Sequence, residues 1–108
     1  MKTTQEIQTE AELLAEELKT EVTPVCYNVK GVQHVGYIKR PDFYVKSAAF
    51  DKIITSPSGA GEIIFDNCLI KEHSSAAFFT DDDLKYSAIQ ECIKMINGYS
   101  NEMAAKKK

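Results

Sequence analysis

SPSGAGEIIFDNCLI, residues 56–70, is the stretch around which the rest of the chain is organised. It reads as a short, mostly apolar helix. Ser56 offers a hydroxyl N-cap, and Pro57 takes the first helical position, where a missing N–H costs nothing. Ile63, Ile64, Phe65, Cys68, Leu69 and Ile70 spread apolar atoms round most of the circumference. A helix with so little polar surface needs cover on more than one side. The segments before and after it are read as that cover. Gly59 and Gly61 imitate a phosphate loop only in spacing, because no strand precedes them and no Lys-Ser or Lys-Thr follows. Their small size instead predicts close approach of a neighbouring helix.

Upstream, Pro41 closes a strand and Asp42 caps a second helix running to Ile54. Phe43, Ser47, Phe50 and Ile54 share one face of it, with Tyr44 and Ala48 beside them. Residues 23–40 have the period of strands. Val25, Tyr27 and Val29 alternate with Cys26, Asn28 and Lys30, and Lys30-Gly31 supplies a tight turn, so the segment is a β-hairpin. Alternation weakens after the turn, which predicts either a bulge or burial on both faces between Val35 and Ile38. Two strands alone are marginal in water, so the hairpin needs helices against it or a third strand from another chain. Before it, residues 1–22 form an acidic helix whose Ile7, Ala11, Leu14 and Leu18 make one narrow apolar stripe, widened by Leu13. That stripe suits either packing on the domain or a partner in coiled-coil fashion.

Downstream, Lys71–Ser75 is a polar loop, and Phe78 and Phe79 are expected to tuck it onto the core. Thr80 with Asp81, Asp82 and Asp83 reads as the start of the last helix, with acids where the helix dipole favours them. Leu84, Ala88, Ile89, Cys92, Ile93, Ile96, Tyr99 and Met103 give that helix a broad apolar face. Gly98 marks a fray point or early end. Residues 42–104 are thus the helical part, and 105–108 are expected to be a disordered tail. The expected fold is a small α+β single domain of 108 residues, a β-hairpin packed against about four helices.

Charge and composition narrow the function. Residues 1–21 hold six Glu and two Lys, a net of −4, while the whole chain is at −3. A domain clamping a phosphate backbone needs a basic face, so nucleic acid is not an expected partner. No apolar run approaches the roughly 20 residues that span a bilayer, and the first residues lack the apolar core of a signal peptide. Cys26, Cys68 and Cys92 each sit in an apolar run, as small hydrophobes of a reduced, cytoplasmic protein.

Catalytic and metal chemistry find no footing. The three consecutive Asp lack the alternating spacing of a calcium loop, and His34 and His73 have no ligand partner at a usual spacing. Cys68 with His73 could be drawn as nucleophile and base, but a thiol in an apolar helix is dulled by burial. The expectation is a non-enzyme without cofactor.

The run GYIKRP, a helix, then AGEIIFDNCLI and finally DDDLKYSAIQE resembles small tail-assembly chaperones of bacteriophages and prophages. The likeness covers about residues 36–93, through Tyr37, Lys39, Arg40, Pro41, Gly61, Glu62, Ile63, Ile64, Asn67, Cys68, Asp82 and Asp83. The chain departs from that pattern at Glu72-His73-Ser74-Ser75, where the family reads Gly-Gly-Asp, and at Leu69, often Trp. The resemblance implies a protein of the host cytoplasm that shields an apolar helical client, the tape-measure protein, until tail-tube subunits assemble round it. Ile7, Leu14, Leu18, Tyr99 and Met103 are the residues expected to meet that client or a second copy of the chain. The other reading is a small structural or head–tail adaptor retained in the particle.

Overall fold

The computed structural model describes the backbone of residues 1–106 and the side chains of residues 1–102. The side chain of Met103 lies outside the described residues. Of the tail expected to be disordered over 105–108, residues 105 and 106 instead continue the last helix, and 107–108 lie outside the described residues. The fold is α+β, as the sequence implies. Helix α1 (Thr4–Leu18) is followed by strands β1 (Val22–Val29) and β2 (Val32–Lys39). Then come α2 (Phe43–Ile53), α3 (Pro57–Cys68), the single turn α4 (Ala77–Thr80) and α5 (Asp82–Lys106). The chain falls into two compact units, one of Met1–Arg40 with Cys68–Lys85, the other of Pro41–Asn67 with the residues from Tyr86 onward.

In the first unit the strands pair antiparallel without a bulge, from Val22 opposite Lys39 to Val29 opposite Val32. The two-residue turn between them has φ of 51° at Lys30 and 79° at Gly31. Two positive φ angles give the primed turn whose twist matches the strands. Of the two alternatives for β2, burial on both faces is what the chain uses. Gly36, Tyr37 and Ile38 are consecutively buried. On one face Tyr37 packs with Ile7, Ala11 and Leu14 of α1, with Val22, Val35 and Ile70 at the margin. On the other, Phe78 is fully buried and stands edge-on to Tyr27, ring centroids 6.3 Å apart. A Cβ at Gly36 would lie 2.9 Å from Phe78 Cε2, so the glycine makes room for that ring.

Main-chain bonds then close the outer edge of β2. Ile70 N–H donates to Tyr37 O at 2.8 Å and Ser75 N–H to Val35 O at 2.9 Å, while Tyr37 N–H donates to Ser74 Oγ at 3.0 Å. Leu69 adds an isolated bridge to Ile38. The segment after α3 therefore supplies the third rail that a bare hairpin lacks. The ladder continues past the strands through Arg40 N–H to Glu21 O. Counting back in pairs from there, Pro24 points its ring nitrogen away from β2 and costs the sheet no donor.

Only one of the two adjacent phenylalanines is tucked in, since Phe79 is half exposed under Lys71. The last helix is capped by Asp81, not Thr80. Asp81 Oδ1 accepts from Asp83 N–H and Leu84 N–H at 3.0 and 3.2 Å, whereas Thr80 ends α4. An unforeseen helical turn moved the boundary by one residue.

In the second unit Asp42 Oδ1 accepts from Val45 N–H at 2.9 Å, capping α2. Ser56 caps α3 by accepting from Gly59 N–H at 3.2 Å. The buried residues of α3 (Ala60, Gly61, Ile64, Phe65 and Cys68) span an arc of about 140° at 3.6 residues per turn. Cover on one broad face therefore suffices, and Glu62, Asp66 and Asn67 stay outside. Gly61 is the close approach that the sequence implies. A Cβ there would lie 2.7 Å from Ile89 O and 2.8 Å from side-chain atoms of Ile89 and Ile93 on α5. Helix α5 does not stop at Gly98 but continues to Lys106.

Candidate protein-docking face

The residues expected to meet a partner are scattered by the fold. Ile7 and Leu14 lie inside the first unit against Tyr37, so of the two readings of the α1 stripe the internal one describes these positions. Leu18, on the last turn, remains 44% exposed. Tyr99 is buried, with Lys46 Nζ 4.7 Å above its ring centroid.

The α1 stripe is committed by good local chemistry. Thr3 Oγ1 accepts from Glu6 N–H while Glu6 Oε1 accepts from Thr3 N–H, both at 3.1 Å. Hydrogen bonding to the carboxylate from the Thr3 backbone N–H first, and then from the Thr3 side chain, holds the Glu6 carboxyl below its usual value of 4.5. Lys19, left-handed at φ 56°, ends the helix. With both ends fixed, the narrow stripe has a single way to be buried.

A different set of residues is left uncovered, on α2. Phe43, Tyr44 and Ile54 are 73%, 81% and 90% exposed. Together with Ser47 and Asp51 they occupy an arc of about 100° on one side of the helix. The opposite side is the packed one, centred on the fully buried Ala49. The sequence grouped Phe43, Ser47, Phe50 and Ile54 correctly as one face, but that face looks largely outward. Phe43 and Tyr44 meet edge to face, centroids 5.6 Å apart, so two aromatic rings stand together in water. Large apolar residues gathered on one exposed helix face are the usual mark of a protein-binding surface.

The charges near this face are one-sided. Lys46 turns to the Tyr99 ring, and the stem of Lys52 lies beside Gly59, where a Cβ would come 3.2 Å from Lys52 Cε. Asp42 is engaged as the helix cap. Asp51, exposed within the arc, has no ion-pair or hydrogen-bond partner among the described residues.

The other candidate groups are accounted for locally. The Asp81–Asp83 run begins a helix, Cys68 is buried, and His73 Nδ1 lies 3.4 Å from Glu10 Oε1. Among the described residues no group of three or more His, Cys, Asp or Glu is placed to share a metal ion. A groove of about 440 Å³ runs between the first turn of α1 and β1, lined by Ile7, Pro24, Cys26 and Asn28 among others. Tyr37 is fully buried, and its hydroxyl has no hydrogen-bond partner among the described residues. Burial, with the charge of Glu10 adding to it, pushes the phenol above its usual 10.0. No described helix is long and apolar enough to cross a membrane. Comparison with protein families, curated proteins and solved structures finds no match to this chain.

Proposed function

We propose that this chain is a non-enzymatic binding protein of the phage tail-assembly chaperone type, which holds an apolar helical client of tape-measure kind in the host cytoplasm. The observation that carries the binding role is the outward face of α2, where Phe43, Tyr44 and Ile54 stand exposed together. An amphipathic helix laid along such a face buries its own apolar stripe at i, i+3 and i+4 positions. The aromatic pair provides rigid, low-entropy contact area for that stripe. The phage assignment is supported by the likeness of residues 36–93 to that family.

The test is co-expression of the full chain with a tape-measure fragment, followed by co-purification. The expected result is a complex that a Phe43→Ser, Ile54→Ser double variant no longer forms, although it keeps the helical circular dichroism of the parent. A complex unaffected by that double change, or no complex at all, rejects the reading. Mass spectrometry of purified particles separates it from the structural or adaptor reading, because a chaperone is absent from the finished virion and an adaptor is retained.

A further inference from the structure

Resting on the helix-docking reading, we infer that the α2 face selects a helix whose apolar stripe is flanked by Lys or Arg rather than by acids. The charges of α2 decide the partner. Every cation of α2 is directed away from the exposed arc, Lys46 onto Tyr99 and Lys52 beside Gly59. One carboxylate, Asp51, remains within the arc between Ile54, Ser47 and Tyr44, with no partner of its own among the described residues. A second, Asp42, stands at the N-terminal end and spends one oxygen on the Val45 amide. An incoming helix that covers Phe43, Tyr44 and Ile54 therefore brings its flanking residues up to the α2 carboxylates Asp51 and Asp42 rather than to the α2 lysines. Basic flanks gain a rim ion pair there, and acidic flanks meet like charge with nothing on α2 to offset it.

The rim position sets the size of the effect. An ion pair at the edge of an interface is partly hydrated and screened by salt, so it decides between partners more than it holds them. The apolar contacts hold the client, and Asp51 chooses its flanks.

Two synthetic helical peptides with an identical leucine stripe, one flanked by lysine and one by glutamate, test this against the full chain by fluorescence anisotropy. The lysine peptide is expected to bind more tightly, with the difference shrinking as salt is raised. Asp51→Lys is expected to weaken the lysine peptide by about 3- to 10-fold and to favour its acidic twin. Equal binding of the two peptides, or an unchanged preference in Asp51→Lys, overturns the charge inference and leaves helix docking standing. If neither peptide binds, or the lysine peptide binds the Phe43→Ser, Ile54→Ser variant as well as the parent, both fall.

Discussion

Helices α1 and α2 are of similar length and carry opposite relations between sequence and burial. Most of α1 is polar, yet it buries Ile7, Ala11 and Leu14 almost completely and leaves only Leu13 and Leu18 of its large apolar residues exposed. Helix α2 is the more apolar, yet it buries fully only Ala49 and leaves Phe43, Tyr44 and Ile54 in water. The difference lies in choice. A narrow stripe has one face to bury, and its neighbours need only accommodate it. A helix apolar on two sides can bury either, and α2 buries the side where a small residue permits close packing. The surplus apolar face is then stability forgone in solution.

That contrast can be broken most forcefully in α1. Leu14→Ala is expected to lower stability by about 2–5 kcal/mol, the usual loss for a large residue truncated in a core. Urea denaturation gives the number, and a loss under about 1 kcal/mol means that the stripe is not core. The next effect is at Gly61. Adding a methyl there puts carbon within 3 Å of Ile89 O and of the Ile89 and Ile93 side chains. Overpacking of this kind costs about 1–3 kcal/mol, so Gly61→Ala should melt lower than the parent. At Gly98 the same change meets nothing within 4 Å. Gly98→Ala should therefore stabilise α5 by about 1 kcal/mol, so Gly61 and Gly98 should respond to the same change with opposite signs.

Tyr37 sharpens the comparison through pH. Its phenol is held neutral by burial beneath α1, so its folded pKa lies above the unfolded value. The stability this represents is complete below pH 10.0 and is lost as the pH rises through the folded pKa. Tyr37→Phe should flatten the alkaline side of the stability curve. At neutral pH it should be neutral or slightly stabilising, since it removes a buried hydroxyl that has no partner. A clear loss at neutral pH would mean that the hydroxyl is bonded to internal water. The smallest effect belongs to α2, where Phe43→Ser or Ile54→Ser should shift stability by no more than about 0.5 kcal/mol. Such variants should lose binding and little else.

Much of the fold is legible in the residues. The alternation of Val25, Tyr27 and Val29 and the Lys30-Gly31 turn specify the hairpin, and Asp42 and Ser56-Pro57 mark two helix starts. The Gly61 contact follows from the lack of any other use for that glycine. What was not legible depends on neighbours. Phe78 and Phe79 are identical in type, and only the space left by Gly36 tells them apart. The pairing of residues 69–75 with the edge of β2 runs largely through backbone atoms, which leave little trace in side-chain pattern. The outward turn of Phe43 and Ile54 was hidden for the same reason. Periodicity groups residues on a face without saying which face has a neighbour. The apolar pattern is cleaner on α1 and α5, which is why periodicity alone points to Ile7, Leu14, Leu18, Tyr99 and Met103.

On the proposed reading, a helical client sits on the exposed face of α2. Amide hydrogen exchange of the full chain, with and without a tape-measure fragment, measures this directly. Slower exchange concentrated in residues 43–54, with α1 unchanged, is the expected footprint. Protection confined to α1, or to the groove between α1 and β1, with none in α2, would contradict the account.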